Sequence, residues 1–261
     1  MKKRRDTRSP ATVPSAVLPP APAMRTATPP QPLQVSSGAL EALKWLAVGA
    51  MVIDHVNKYL LHGSVPAMFS IGRLALPIFA FVLGHHLARA DADAGAMRLR
   101  LMGRLAAAAA VATLPYVALG GLGWGWWPAN ILTTFLLATA VMHGWSIAHP
   151  LARVGTVVLF AAGGALVEFW WPGVACVLAS AGFVRRPGPA SLALLAAVLA
   201  CLPMPAWFLA GGGVSLDMSA LAGLPLVALV RMANPRVPRL RWVFYAIYPA
   251  HLAILWLLRS A

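Results

Sequence analysis

Residues 40–61, LEALKWLAVGAMVIDHVNKYLL, decide the fold. The stretch is long and apolar enough to cross a bilayer, which takes about 20 helical residues. It nevertheless carries, among its polar side chains, Lys44, Asp54, His55 and Lys58. A charge at the centre of a membrane helix costs roughly 2.5–3.5 kcal/mol on insertion scales and is rarely kept without a use. Asp54 and His55 are therefore the first candidates for chemistry.

The composition of the whole chain agrees with this stretch. Of its 261 residues, 60% are hydrophobic and 11% are charged, whereas average soluble proteins are about 25% charged. The apolar runs do not alternate with polar residues as the strands of a membrane barrel do. We therefore predict an all-α, polytopic integral membrane bundle that has the lipid bilayer as its surroundings.

The charge and the metal-binding residue types exclude several functions. The net charge is +14, but the basic residues fall at helix ends and are not gathered on one surface. We therefore predict no nucleic-acid partner. Cys176 and Cys201 lie in apolar runs, which is typical of packed free thiols. No two histidines have the HxxxH or HExxH spacing, so we predict no metal.

Residues 1–36 differ from the rest. They begin with a KKRR run and continue as a segment rich in Pro, Ala, Ser and Thr. Such a segment has no apolar core of its own. We predict a disordered basic and Pro-rich cytoplasmic tail, 1–36, ahead of a transmembrane domain, 37–261.

Nine apolar stretches are predicted to be membrane spans, although the fifth and sixth could be one broken helix. They are 40–61, 67–88, 101–119, 129–147, 152–168, 171–184, 190–209, 219–232 and 242–259. With the N-terminus in the cytoplasm, inner connections hold eleven arginines and the outer side holds three basic residues. Positive charges favour cytoplasmic connections, so this orientation is the predicted one.

The second span brings a charge to the depth of Asp54. Asp54 and Lys58 are four residues apart and can form an ion pair. Arg73 enters near the outer surface, where it either pairs with Asp54 or extends to the headgroups. Pro77 cannot donate to the carbonyl of Arg73, which predicts a kink. A small-residue stripe follows, and we expect the first span to pack on it: Pro77, Ala80, Gly84 and Ala88.

Two more polar groups lie in apolar spans. Asn130, Thr133 and Thr134 share a helix face and either line a polar cavity or make interhelical hydrogen bonds. His251 lies near mid-membrane beside Tyr248 and the helix-breaking Pro249. It is either a packing residue or a functional one.

Four segments together resemble the TraX family, membrane proteins named for the acetylation of F-type pilin. They are LKWLAVGAMVIDHVNKYL, IGRLALPIFAFVLG, NILTTFLLA and FYAIYPAHLAIL, and the likeness covers about residues 40–259. The resemblance implies a bacterial inner-membrane, multi-pass acyltransferase that uses acetyl-CoA. It implies that the acceptor is pilin or, alternatively, a surface glycan. Glu168-Phe169-Trp170 lacks the glycine that the family carries after an acidic-aromatic pair.

The residues suggest a mechanism for such a transfer. A histidine has a pKa suited to taking a proton from an attacking amine or hydroxyl. We assign His55 as the base with Asp54 as its partner, and Arg73 either pairs with Asp54 or stabilises an oxyanion. His251 is the rival base or a second member of the proton path.

The remaining candidates would hold the two substrates. Arg98, Arg100 and Arg104 could attract the polyanionic acetyl-CoA, or serve membrane topology alone. Candidate acceptor-binding residues are Lys58, Asn130 and Tyr248. Two other functions fit the sequence. Intramembrane charges with Pro-broken helices are also typical of a proton-coupled transporter, and the third hypothesis is a non-catalytic partner in an envelope assembly.

Overall fold

The computed structural model describes residues 31–88, 93–121, 125–205, 217–240 and 242–260. These ranges are all-helical, as predicted, with one isolated parallel bridge between Ala129 and Val167. The helices are α1 Ser37–Tyr59, α2 Pro66–Gly72, α3 Ala75–Leu87, α4 Ala94–Ala118, α5 Ile131–Trp145, α6 Pro150–Gly164, α7 Trp170–Arg185, α8 Pro189–Ala200, the 3₁₀ helix Ser219–Ala222, α9 Gly223–Ala233 and α10 Val243–Ser260.

Three helical stretches are long and apolar enough to cross a membrane: Pro66–Leu87, which joins α2 and α3, Ala94–Ala118 and Val243–Ser260. The chain is thus consistent with a membrane protein. The 15-residue helices α5 and α6 span only about 22 Å, less than the ~30 Å hydrocarbon core. Helix α1 has the length but carries four charged residues. Nine crossings and a cytoplasmic N-terminus stay predictions.

Local signals set the helix starts. The Ser36 hydroxyl accepts a hydrogen bond from the backbone N–H of Ala39 at the start of α1, as N-cap serines do. Proline occupies the first position of α2, α6 and α8, where its missing N–H costs nothing. The last residues of the predicted tail contact the bundle, since the Leu33 N–H donates to the carbonyl of Val184 at 2.7 Å. Residues 1–30 lie outside the described ranges.

The predicted kink in the second span is a break between two helices. Helix α2 ends at Gly72, and α3 begins at Ala75. Pro77 stands in the first turn of α3, so the carbonyl of Arg73 has no i+4 donor. The break lets α2 and α3 present different faces to α1, and it positions Arg73 at the junction.

Two residues of the small-residue stripe, Pro77 and Gly84, approach helices other than the first span. We predicted that the first span would cover the stripe. Instead, a Cβ added to Gly84 would lie 2.7 Å from Cβ of Ser180 on α7, and Gly223 of α9 approaches Pro77 in the same way. Small residues let backbones approach closely whichever helix is opposite, so the stripe predicted a close partner but not its identity.

The fifth and sixth predicted spans are separate helices. Helix α6 ends at Gly164 and α7 starts at Trp170. The turn between them has Phe169 and Trp170 at φ 60° and 48°, in the left-handed region that side chains rarely adopt. This turn directs Glu168 toward α1 and α3, where the candidate site lies.

Candidate functional site

A cavity of about 650 Å³ runs through the bundle between α1, α3, α4, α5 and α10. Its two ends differ in charge. One end is lined by four cations, Lys44, Arg100, Arg104 and Arg239, and Asp93 at the start of α4 also lines the cavity. The other is lined by His55 and Arg73 with three carboxylates: Asp54, Glu168 and Asp217. Lys44 and Asp54 are ten residues apart on α1, so the ends lie about 15 Å apart along that helix.

The two candidate bases contact each other. Nδ1 of His55 lies 2.6 Å from Nε2 of His251, a hydrogen bond between side chains 196 residues apart. The rings are nearly parallel, at 11°, and their centroids are 4.9 Å apart. With two nitrogens so close, this centroid separation means that the rings meet edge to edge. His55 lines the cavity, whereas His251 lies behind it on α10 and is 9% exposed.

Hydrogen bonding assigns the protons of this pair. Nδ1 of His251 lies 3.0 Å from the carbonyl oxygen of Ile247, which can only accept. His251 therefore carries its proton on Nδ1 and accepts at Nε2. His55 must donate from Nδ1, so the lone pair of His55 is on Nε2. A neutral histidine with its Nδ1 proton bound and its Nε2 free is oriented as a general base requires.

Asp54 and Arg73 form the ion pair that the sequence predicted. Nη2 of Arg73 lies 3.4 Å from Oδ1 of Asp54. Both side chains are largely buried, at 18% and 17% exposure. Gly72 makes this approach possible, because a Cβ at that position would collide with the Asp54 side chain. The prediction that Arg73 faces Asp54 is confirmed.

Arg73 keeps donor capacity that the pair does not use. Its Nε is buried and has no hydrogen-bond partner among the described residues. Its guanidinium lies over the ring of Phe69, 4.3 Å from the centroid, and 5.7 Å from that of Phe169. The aromatic rings hold the planar group in place, and an unused donor beside a cavity can bind an oxyanion.

Three carboxylates that line the cavity were not among the predicted site residues: Asp93, Glu168 and Asp217. Glu168 is fixed by its backbone: its N–H donates to Ala129, and its carbonyl accepts from the hydroxyl of Thr134 at 2.8 Å. Asp217 accepts from the Ser70 hydroxyl and from the Ser219 N–H, both at 2.7 Å. The only available signal was that all three are acids in an acid-poor chain.

Asp217 lies before the 3₁₀ helix, outside the apolar helices. Burial alone would raise the pKa of its carboxyl. The hydrogen bonds from Ser219 and Ser70 outweigh this effect, and the nearby Arg73 adds to them, so the pKa of Asp217 lies below its usual value. Asp217 is therefore ionised at neutral pH and adds a negative charge to this end of the cavity.

The candidate acceptor-binding residues have different positions. Tyr248 lines the cavity, and its ring centroid is 5.4 Å from that of His251. Lys58 does not line it: Nζ lies 3.3 Å from the hydroxyl of Tyr59, and no ion pair joins it to Asp54. Asn130 is buried and caps α5, accepting from Leu132 and donating to Ala109. These contacts support the alternative in which Asn130 makes structural hydrogen bonds and does not line a polar cavity.

The three arginines that were predicted to bind acetyl-CoA also differ in position. Arg100 and Arg104 line the cavity, and Arg104 lies over the Trp242 ring, 5.0 Å from its centroid. Arg98 does not line it and is 5% exposed. Lys44 joins the basic end, where it pairs with Glu41 at 2.5 Å and lies over the ring of Phe244. In the described ranges, no three His, Cys, Asp or Glu side chains could hold a metal ion.

Comparison with known proteins gives one family. The model of the family described as TraX protein matches residues 39–259. The chain is similar to Protein TraX of Escherichia coli, with 32% identity over 235 residues, which covers 84% of this chain and 87% of the relative. It is also similar to Protein TraX of Escherichia coli (strain K12), with 31% identity over 237 residues and the same coverage. No solved structure matches the chain.

Proposed function

Since the chain belongs to the TraX family, we propose that it is a multi-pass acyltransferase of the bacterial inner membrane, with its N-terminus in the cytoplasm. It moves an acetyl group from acetyl-CoA to an amine or hydroxyl of an envelope acceptor such as pilin. The observation that carries the proposal is that one cavity joins a cluster of cations to His55, the cavity-lining member of the His55–His251 pair.

The basic end of the cavity suits the nucleotide part of acetyl-CoA. Arg100, Arg104 and Arg239 line it, and guanidinium groups bind phosphates through two parallel hydrogen bonds. Acetyl-CoA is made in the cytoplasm, so the basic end is the cytoplasmic one. The extended arm of CoA then follows the cavity, and its thioester arrives beside His55.

The transfer uses three side chains at the far end. Nε2 of His55 takes a proton from the acceptor as its nitrogen or oxygen attacks the acetyl carbonyl carbon. The carbonyl oxygen becomes an oxyanion, which the free Nε–H of Arg73 stabilises. The carbon–sulfur bond then breaks, and the proton on His55 passes to the CoA thiolate. His251 supports the positive charge on His55 while that proton is held.

The acidic end of the cavity favours an amine acceptor over a hydroxyl. Asp54, Glu168 and Asp217 line it together with Arg73, and Lys58, which does not line the cavity, interacts electrostatically with Glu168 and Asp54. Three carboxylates thus face two cations. An acceptor that arrives as an ammonium gains from these carboxylates, whereas a neutral hydroxyl does not. The ammonium gives its extra proton to Glu168 and then attacks as the neutral amine, with His55 taking the second proton. Glu168→Gln should therefore raise the KM for an amine acceptor severalfold and leave the KM for acetyl-CoA unchanged. An unchanged acceptor KM would remove the preference for an amine.

The test is turnover by purified protein in liposomes. Release of CoA thiol from acetyl-CoA is followed with a pilin-type peptide that has a free N-terminal amine. Loss of a positioned base costs about 10²–10⁴-fold, so His55→Ala should lose that much. The matched control is His143→Ala, because His143 is a half-buried histidine on α5 that does not line the cavity.

Three results would count against the proposal. Full turnover by both His55→Ala and His251→Ala would exclude this mechanism. Proton-coupled flux across the liposome membrane with no acyl transfer would assign the protein to the transporters. Binding of neither acetyl-CoA nor a transported solute would favour a non-catalytic assembly partner.

A further inference from the structure

A second concavity lies on the outside of the bundle, between α4 and α10. It is an open groove of about 1020 Å³. Its α4 side is formed by residues that recur along one helix face from Arg100 to Pro115. Fifteen helical steps correspond to about 22 Å, so the groove follows the helix pair for most of a membrane thickness.

The wall of this groove is apolar apart from one end. Its floor consists of small residues from both helices: Gly103, Ala107, Ala108, Ala246, Ala250 and Ala253. Val111 and Leu114 form the rim and are 59% and 76% exposed. A long, apolar groove that faces outward fits a hydrocarbon chain.

The polar end of the groove is basic. Arg100 and Arg104 stand there with Trp242, which is 66% exposed and stacks with Arg104. Among the described residues, neither arginine forms a salt bridge with a carboxylate. Tryptophan is enriched at the headgroup level of membranes. This end therefore presents cations at the depth where phosphates of lipids lie.

From this complementarity we infer that the groove binds an anionic phospholipid. One acyl chain lies along the small residues of α4 and α10, and the phosphate is held by Arg100 and Arg104. Basic pockets between membrane helices are known to hold anionic headgroups. A protein helix would fill the apolar part as well but would leave the two guanidinium groups without an anion. The inference requires a membrane protein but not the proposed acyl transfer.

Gly103→Leu is the decisive variant, because Arg100 and Arg104 also line the inner cavity. A Cβ at Gly103 meets nothing within 4 Å, so leucine fills the groove without disturbing the protein. Gly155→Leu is the matched control: Gly155 is an exposed helical glycine of α6 with equally open space. Both variants should unfold at or above the wild-type temperature, since leucine favours helix.

Retention of phosphatidylglycerol and phosphatidylcholine is measured by native mass spectrometry of protein from mixed vesicles. We expect the wild type and Gly155→Leu to prefer phosphatidylglycerol, and Gly103→Leu to hold it about tenfold more weakly. Arg104→Gln should reduce the preference for phosphatidylglycerol over phosphatidylcholine roughly fivefold, as expected for one arginine near a charged surface.

Equal retention of the two lipids by the wild type would overturn the inference, as would wild-type retention of phosphatidylglycerol by Gly103→Leu. A co-purifying polypeptide that only Gly103→Leu loses, with lipid retention unchanged, would assign the groove to a protein helix instead. Because the readout is bound lipid, an enzyme without acyl transfer activity would still pass this test.

Discussion

Replacement of His251 by leucine tests how the histidine pair works. The hydrogen bond from His55 Nδ1 to His251 Nε2 is 2.6 Å long. Such a bond between neutral groups contributes about 1 kcal/mol, and about 1.5–3 kcal/mol once one partner is charged. When His55 takes the proton, the bond thus gains about 0.5–2 kcal/mol. Its loss should reduce kcat roughly 2- to 30-fold.

A second effect adds to this loss. Without His251, the proton of neutral His55 is no longer held on Nδ1 and can occupy Nε2, which removes the lone pair that acts as base. The KM for acetyl-CoA should not change, since His251 does not line the cavity. His251→Leu should therefore lower kcat alone, and by less than His55→Ala does.

The assay is steady-state release of CoA thiol by the protein in liposomes. His251→Gln should recover part of the loss, because its amide oxygen can accept from His55. His143→Gln, on α5 and outside the cavity, should behave as wild type. An unchanged kcat in His251→Leu would refute the orienting role. A loss larger than that of His55→Ala would make His251 the base.

Three further substitutions separate catalysis from structure. Gly72→Ala should displace the Asp54 carboxylate, because the added Cβ collides with it; acyl transfer should fall at least tenfold, and a wild-type rate would show that the Asp54 position does not matter. Arg104→Gln should raise the KM for acetyl-CoA severalfold while the exposed Arg153→Gln does not, and equal effects would point to general charge rather than a site. Asn130→Ala should destabilise the protein by about 2–4 kcal/mol through the lost cap and the lost hydrogen bonds from its amide to the Ala109 carbonyl and the Thr113 hydroxyl, read as a lower thermal midpoint; a normal midpoint with a raised acceptor KM would instead restore its substrate-binding role.

The sequence indicated the first half of the site because the signals there are local. Apolar stretches that keep Asp54, His55 and Arg73 are costly, and the Pro77 break marks where Arg73 can turn inward. The TraX likeness rests on the same segments and is confirmed by the family match. Charge cost and helix chemistry can be read one helix at a time.

The rest of the site depends on which helices face each other, and the periodicity of the sequence does not predict these helix pairs. From the sequence, His251 was either a rival of His55 or a second member of its proton path, and the structure places it in hydrogen-bond contact with His55. Glu168 was doubted because its turn lacks the family's glycine. The turn forms nonetheless, with Phe169 and Trp170 at positive φ. Asn130 could not be placed because a polar residue at a helix start can cap the helix or line a cavity.

The central claim is that one cavity passes an acetyl group from CoA, bound by arginines, to an acceptor at His55. The most direct measurement supplies acetyl-CoA carrying an isotope-labelled acetyl group to the protein in liposomes and reads the label on the acceptor by mass spectrometry. Wild-type protein should place one labelled acetyl group on the free amine, and His55→Ala should place almost none. Label transfer by His55→Ala at the wild-type rate, or no transfer by the wild type to any amine or hydroxyl of envelope material, would contradict the account.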